Sequence, residues 1–159
     1  MLKYLIFAAV LALPGAALAQ APNDAQIAHI AYNAGAIDIA AADQALTKAT
    51  NPDVKAFAAE MARDHKAVNT QALALVKKLN VTPQDNATSQ ALSKAAAAKL
   101  TELAKLKGAA YDRAYVENEV AFHKTVNGAL QTTLIPGAKN AELKALLQTG
   151  LKIFQGHEQ

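Results

Sequence analysis

The chain is 159 residues long with 16 basic and 13 acidic side chains, a formal net charge of +3, and neither cysteine nor tryptophan. A charge this small, with no run of one sign, argues against a nucleic-acid or anionic-surface binder, and the absence of thiols rules out disulfide support. Alanine makes up roughly a quarter of the residues, which favours helix strongly and strand hardly at all, so the expected fold class is all-α.

Residues 1–19 read as an export signal. Lys3 precedes an apolar run from Tyr4 to Leu13, followed by Pro14-Gly15 and the small-residue site Ala17-Leu18-Ala19, with cleavage expected after Ala19. The run falls short of the ~20 apolar residues of a spanning helix. No later segment would span a bilayer, so the expected product has no integral membrane segment and is periplasmic, whether free or associated with the outer membrane. Export weakens a nucleic-acid partner further. Residues 20–159 are expected to form a single domain.

Punctuation then divides the chain into five helical segments. Asn23 or Asp24 caps a first helix of about 24–49, and Asn51-Pro52 opens a second of about 52–79. Thr82-Pro83 repeats that start signal for an Ala-rich third helix of about 84–106, which Gly108 ends by supplying a left-handed residue. A fourth spans about 109–134 until Pro136-Gly137 breaks it, and Asn140 caps the last, about 141–157. About 20 helical residues cover ~30 Å, so the third helix is read as a crossover that returns the full length of the bundle. That reading makes the second and fourth helices parallel, in a ferritin-like four-helix bundle with an additional crossover helix. An up-and-down five-helix arrangement is the alternative.

A duplicated stretch carries the chemistry. Phe57 to Asn69 aligns without a gap on Tyr115 to Asn127, an offset of 58 residues that superposes His65 on His123. The second helix has an inward row of Val54, Ala58, Met61, His65, Val68, Ala72, Leu75 and Leu79. The fourth has Asp112, Val116, Glu119, His123, Val126 and Leu130, so a carboxylate and a histidine four residues apart both face inward. Ala31, Ala34, Asp38, Ala41 and Ala45 form the row of the first helix, and the last carries Leu143, Leu147, Gly150, Phe154 and His157. At ~1.5 Å per residue, Asp38, His65, Glu119 and His123 fall at about 21, 17, 22 and 16 Å along the bundle, one layer, with His157 near 25 Å.

The chain resembles the exported bacterial proteins grouped as domain of unknown function four-one-four-two, often labelled outer membrane proteins. The resemblance rests on Asn51-Pro-Asp-Val-Lys-Ala-Phe57, Met61-Ala-Arg-Asp-His65, Ala110-Tyr-Asp-Arg-Ala-Tyr115 followed by His123, and a terminal helix with His157. It implies a ferritin-like bundle outside the cytoplasm with no settled activity. It also implies that His65, His123 and His157 are family positions and that Asp38 stands where an acid is usual; His29 matches none. The two-iron carboxylate site of ferritin-like proteins needs Glu-x-x-His on two helices. Here Arg63 follows Glu60 and Phe122 follows Glu119 at the third position, so the standard ferroxidase motif is absent.

Two readings of the inward polar layer stand side by side. One is a hydrogen-bonded layer that fixes helix register. The other is a metal site built from Asp38, His65, Glu119, His123 and His157, whose imidazoles and carboxylates suit zinc, copper, nickel or iron. The function that follows is an exported bundle that stores or buffers a transition metal, or does slow redox chemistry under envelope stress. The alternative is a metal-free structural or interaction module docking on an envelope protein or a second copy through its Ala-rich face. An enzyme with an organic substrate ranks third, since no phosphate loop or activated nucleophile is present. Metal affinity is expected to fall as pH drops through ~6.5. His29 is read as solvated, Asp112 as serving the dipole of its own helix, Tyr111, Tyr115 and Phe57 as core, and Asn69 and Asn127 as either ring-orienting or surface groups.

Overall fold

The computed structural model describes residues 21–159; the segment read as an export signal, with the cleavage expected after Ala19, lies outside the described residues. Helix α1 spans Asp24–Lys48 and opens with a reciprocal cap, in which Asn23 Oδ1 accepts from Gln26 N and Gln26 Oε1 accepts from Asn23 N. Helix α2, Pro52–Lys78, starts with Asn51 accepting from Asp53 N and proline at its first position, where no N–H is needed. Helix α3, Ala87–Ala104, begins later than the Thr82-Pro83 signal implies, because Asn86 provides the stronger cap, accepting from Thr88 N and Ser89 N. The extended residues before it are tied to the base of α1 by Gln84 N donating to Ala25 O.

Helix α4, Gly108–Ala129, follows a tight joint at which Gly108 takes φ +55°. Pro136-Gly137 closes this helical segment: the chain passes through a π-helical turn, Leu130–Leu134, and a further helical turn, Ile135–Gly137, before Ala138 becomes extended. A proline ring clashes with the carbonyl four residues earlier in a regular α-helix, and the wider π turn ahead of Pro136 relieves that clash up to the point where the helix ends. Helix α5, Ala141–His157, is capped by Asn140, which accepts from Glu142 N and Leu143 N.

Side-chain ties at the two ends set the directions. Asp24 accepts from Lys139 N and Asn140 N at the base, while at the opposite end Asp112 accepts from Thr50 N, Thr50 Oγ1 and Asn51 N. Hence α1 rises, α2 and α4 descend, and α5 rises. Helix α3 lies outside this set and rises alongside α1, with Asn33 donating to Ser89 O, Gln44 to Leu100 O and Lys48 to Ala104 O in the same order. The protein is thus an all-α bundle; its described residues contain no strand.

Two apolar clusters fill the interior. The upper one gathers Ala41, Ala42, Ala45, Ala58, Met61, Ala62, Leu103, Tyr111 and Tyr115. The lower one gathers Ile27, Ile30, Leu130, Leu134, Leu143, Leu147 and Phe154. Between them lies a layer of buried polar side chains.

Candidate metal centre

Each helix of the bundle other than α3 contributes to that layer. Asp38 comes from α1, His65 from α2, Glu119 and His123 from α4, and His157 from the last residue of α5; none is more than 7% exposed. His65 Nε2 lies 3.2 Å from His123 Nε2 and 3.5 Å from Asp38 Oδ2, and His157 Nδ1 lies 3.3 Å from His123 Nε2. The three imidazoles therefore bring one nitrogen each to a common point, with all three within 4.8 Å of one another. Asp38 and Glu119 form a second group with His123 under the same distance limit.

The outer nitrogens decide which inner ones carry lone pairs. His123 Nδ1–H donates to the carbonyl of Glu119, one turn back, at 2.9 Å. His157 Nε2–H donates to the Asp64 carboxylate at 3.1 Å. His123 is thereby left with a bare Nε2, which His157 Nδ1 faces at 3.3 Å. Two lone pairs at that separation repel unless a proton or cation lies between them, and a carbonyl or carboxylate behind the ring is the usual arrangement for a metal-bound histidine. His65 differs. Its plane is fixed by stacking on Phe154, ring centroids 4.3 Å apart and 9° from parallel, but its Nδ1 finds no partner among the described residues.

Burial governs the charges. It pushes His65 down to about 3, helped by His123 and His157, and His123 down to about 4, so both rings are neutral at physiological pH. Burial also raises Asp38 well above the carboxylate range, with further contributions from the charge and hydrogen bond of Glu119, and burial raises Glu119 too. Two carboxyls that share a dry site cannot both ionise, so the pair retains a proton. Asp38 Oδ1 and Glu119 Oε2 have no hydrogen-bond partner among the described residues beyond the proton the pair shares, and the Tyr115 hydroxyl has none. Burial raises Asp64, but hydrogen bonds from Arg63 and His157 outweigh it and hold this carboxylate below its ordinary value.

Several residues have roles that the sequence pattern does not indicate. Asn69 and Asn127 are buried, yet neither bonds a ring: Asn69 donates to Tyr32 O, and Asn127 donates to Phe154 O and Glu158 Oε2, anchoring the helix end that bears His157. Asn69 fits because residue 35 is glycine; a Cβ there would sit 2.4 Å from Asn69 Oδ1. Asp112 does not serve its own helix but ties down the α1–α2 turn. His29 is half-buried rather than fully solvated, its Nδ1 lying 3.7 Å from Asp85 Oδ1. Asp64 is the functional residue the pattern misses. It stands one position from the buried row of α2, and only the packing of α5 across it brings His157 within reach.

From residue 11 to residue 159 the sequence matches the model of the family described as Domain of unknown function (DUF4142), and the chain belongs to that family. Among solved structures, the fold is similar to that of CopM in the Cu(II)-bound form, with a TM-score of 0.65, 14% identity, and 87% of this chain and 93% of that chain covered. At that identity the likeness concerns the fold. No curated protein matches the sequence.

Proposed function

We propose that this DUF4142 protein is an exported bundle, processed after Ala19 into a single domain of residues 20–159, that binds one transition-metal ion where His65, His123 and His157 converge. Asp38 and Glu119 supply the carboxylate side of the site, and the activity is storage or buffering of the ion in the cell envelope. One observation carries this reading: imidazoles from three helices bring one nitrogen each together inside the core, His123 Nε2 lying 3.2 Å from His65 Nε2 and 3.3 Å from His157 Nδ1. Ligand atoms at ~2.0–2.1 Å from a tetrahedral ion are spaced about 3.3 Å apart, so the imidazole separations match a coordination sphere.

The donor set of imidazoles and carboxylates without sulfur fits zinc, copper, nickel or iron. Copper is the first ion to test, since the structurally similar protein was captured with Cu(II). A bound ion would supply positive charge to a site that otherwise holds neutral rings and a carboxyl pair. Export is supported by the signal-like residues 1–19, and no helix among the described residues is long and apolar enough to cross a membrane. With His65 and His123 neutral down to about 3 and 4, protons compete poorly for these rings near pH 6.5. The pH dependence of affinity in the neutral range therefore reports on the carboxyl pair and not on His65 or His123.

The test is metal analysis of protein purified from its own compartment, before and after His65→Ala combined with His123→Ala. About one ion per chain, lost in the double variant, is the expected result. Sub-stoichiometric metal in the unaltered protein would favour a metal-free interaction module.

A further inference from the structure

Below the polar layer the bundle is hollow. A cavity of about 380 Å³ lies among α1, α2, α4 and α5 and reaches the start of α3. Close-packed interiors rarely leave voids larger than a water molecule, so a space of this size is not a packing flaw. At the ~30 Å³ occupied by a water-sized group, it holds roughly a dozen non-hydrogen atoms. It also falls within the roughly 300–1,000 Å³ of small-molecule pockets.

The α1 and α2 walls combine Ala34 and Ala72 with Ile30 and Leu75, and on the α4 wall the π turn contributes Leu130, Thr133 and Leu134. Single π turns inside α-helices are frequent at functional sites. Exposed Thr88, Thr125 and Thr133 mark where the cavity opens between α3 and α4.

The walls are aliphatic, and the inner end is polar, formed by Asp38, His65 and His123. Asp38 and His65 are each only 2% exposed, and His65 Nδ1 is without a partner among the described residues. A buried polar atom left unpaired is costly, and natural interiors seldom tolerate one. Lysine and arginine are absent from the described residues lining the cavity, and Asp38 is the one acid. An anionic head group would thus meet a carboxyl and no cation, whereas a neutral group that both donates and accepts would satisfy His65 Nδ1 and sit without repulsion beside Asp38.

We infer that this cavity binds one straight-chain aliphatic molecule of roughly a dozen non-hydrogen atoms, with a neutral head, most simply a hydroxyl, seated at Asp38 and His65. The inference stands apart from the metal reading, because it rests on the volume, the apolar lining and the unpaired His65 Nδ1. Binding would fill the lower core and raise the melting temperature with ligand concentration.

The experiment titrates the metal-free full chain with 1-decanol and, separately, with decanoate at pH 8, by calorimetry and thermal unfolding. The same titrations are run on Ala72→Phe and Leu147→Phe, which fill the cavity and touch no polar group. Saturable one-to-one binding of 1-decanol is expected, weakened roughly tenfold or more for decanoate and roughly tenfold or more by either filling variant. Absence of saturable 1-decanol binding, equal affinity for decanoate, or unchanged affinity in a folded filling variant would overturn the inference. If neither variant folds, the contrast between alcohol and carboxylate in the unaltered chain decides. Copper binding measured on the same samples separates the two readings: copper retained without 1-decanol binding sinks only this one, and 1-decanol retained without copper sinks only the metal site.

Discussion

The two halves of the bundle are built from different material. Above the polar layer, Ala41, Ala42, Ala45, Ala58 and Ala62 close around Met61, Tyr111 and Tyr115, with the two tyrosine rings stacked at 6.3 Å. Below it, larger aliphatic residues, Ile27, Ile30, Leu130, Leu134, Leu143 and Leu147, surround a cavity of about 380 Å³. Bulkier side chains have left more space, so side-chain size alone does not set packing. Alanine lets helix axes approach towards the short end of the usual ~8–10 Å range, and the upper half closes tightly on its aromatics. The upper half thus holds the buried polar residues in place, and the lower half keeps room beneath them.

The contrast is most exposed by truncation. Tyr115→Ala, in the sealed half, is expected to cost about 3–5 kcal/mol, and Leu147→Ala, beside a space that already exists, about 2 kcal/mol, measured by urea unfolding. Equal costs would mean that the halves are equally packed. Enlargement should go the other way: Ala42→Leu, at a position with no exposed surface, overpacks and costs about 1–3 kcal/mol. Ala72→Leu, which points into the cavity, should be neutral or stabilising, by up to about 1 kcal/mol. Destabilisation by Ala72→Leu as large as that by Ala42→Leu would show the lower cavity to be closed in solution.

Smaller effects sharpen the boundary between the halves. Gly35→Ala drives a Cβ against Asn69 Oδ1, and the displaced amide should lose its bond to Tyr32 O, with a melting temperature lowered by an amount corresponding to about 1–2 kcal/mol. In the metal-free protein, His65 and His123 are neutral when folded but protonate near 6.5 when unfolded. Their depressed values mean stability is present above pH 6.5 and lost as pH falls towards about 4 for His123 and about 3 for His65. The carboxyl pair acts oppositely, since its raised values favour the folded state as pH falls through the neutral to mildly acidic range. Glu119→Gln should therefore steepen the acid loss of stability, read from denaturation midpoints between pH 7.5 and 4.5. A flatter profile in that variant would contradict the shared proton. The gentlest change is Asp112→Asn: with its carboxylate held low by hydrogen bonds from Thr50 and Asn51, it should weaken the α1–α2 turn at neutral pH and lose its effect in acid.

Much of this was legible before any coordinates. Composition indicates helices, caps at Asn23, Asn51 and Asn140 mark their starts, and the internal repeat singles out His65 and His123 as polar residues on apolar faces. Helical rise places Asp38 and Glu119 at the same depth, and the structure buries all four. What escaped notice depends on how helices meet. Asp64 becomes a partner of His157 only because α5 crosses α2, a contact between residues 93 apart in sequence. Pro136-Gly137 does end the fourth helical segment, but nothing in the pattern signals the π turn just ahead of it, where Leu130 and Leu134 pack into the lower core. The cavity is equally hidden, since it arises from spacing between helices and from no residue type.

The central claim is that three imidazoles from three helices meet on one ion, and anomalous diffraction from crystals soaked in Cu(II) tests it most directly. The account predicts one strong peak per chain, about 2.0–2.1 Å from His65 Nε2, His123 Nε2 and His157 Nδ1, and its disappearance in His123→Ala. Copper bound only at surface residues, or a peak that survives loss of His123, would contradict it.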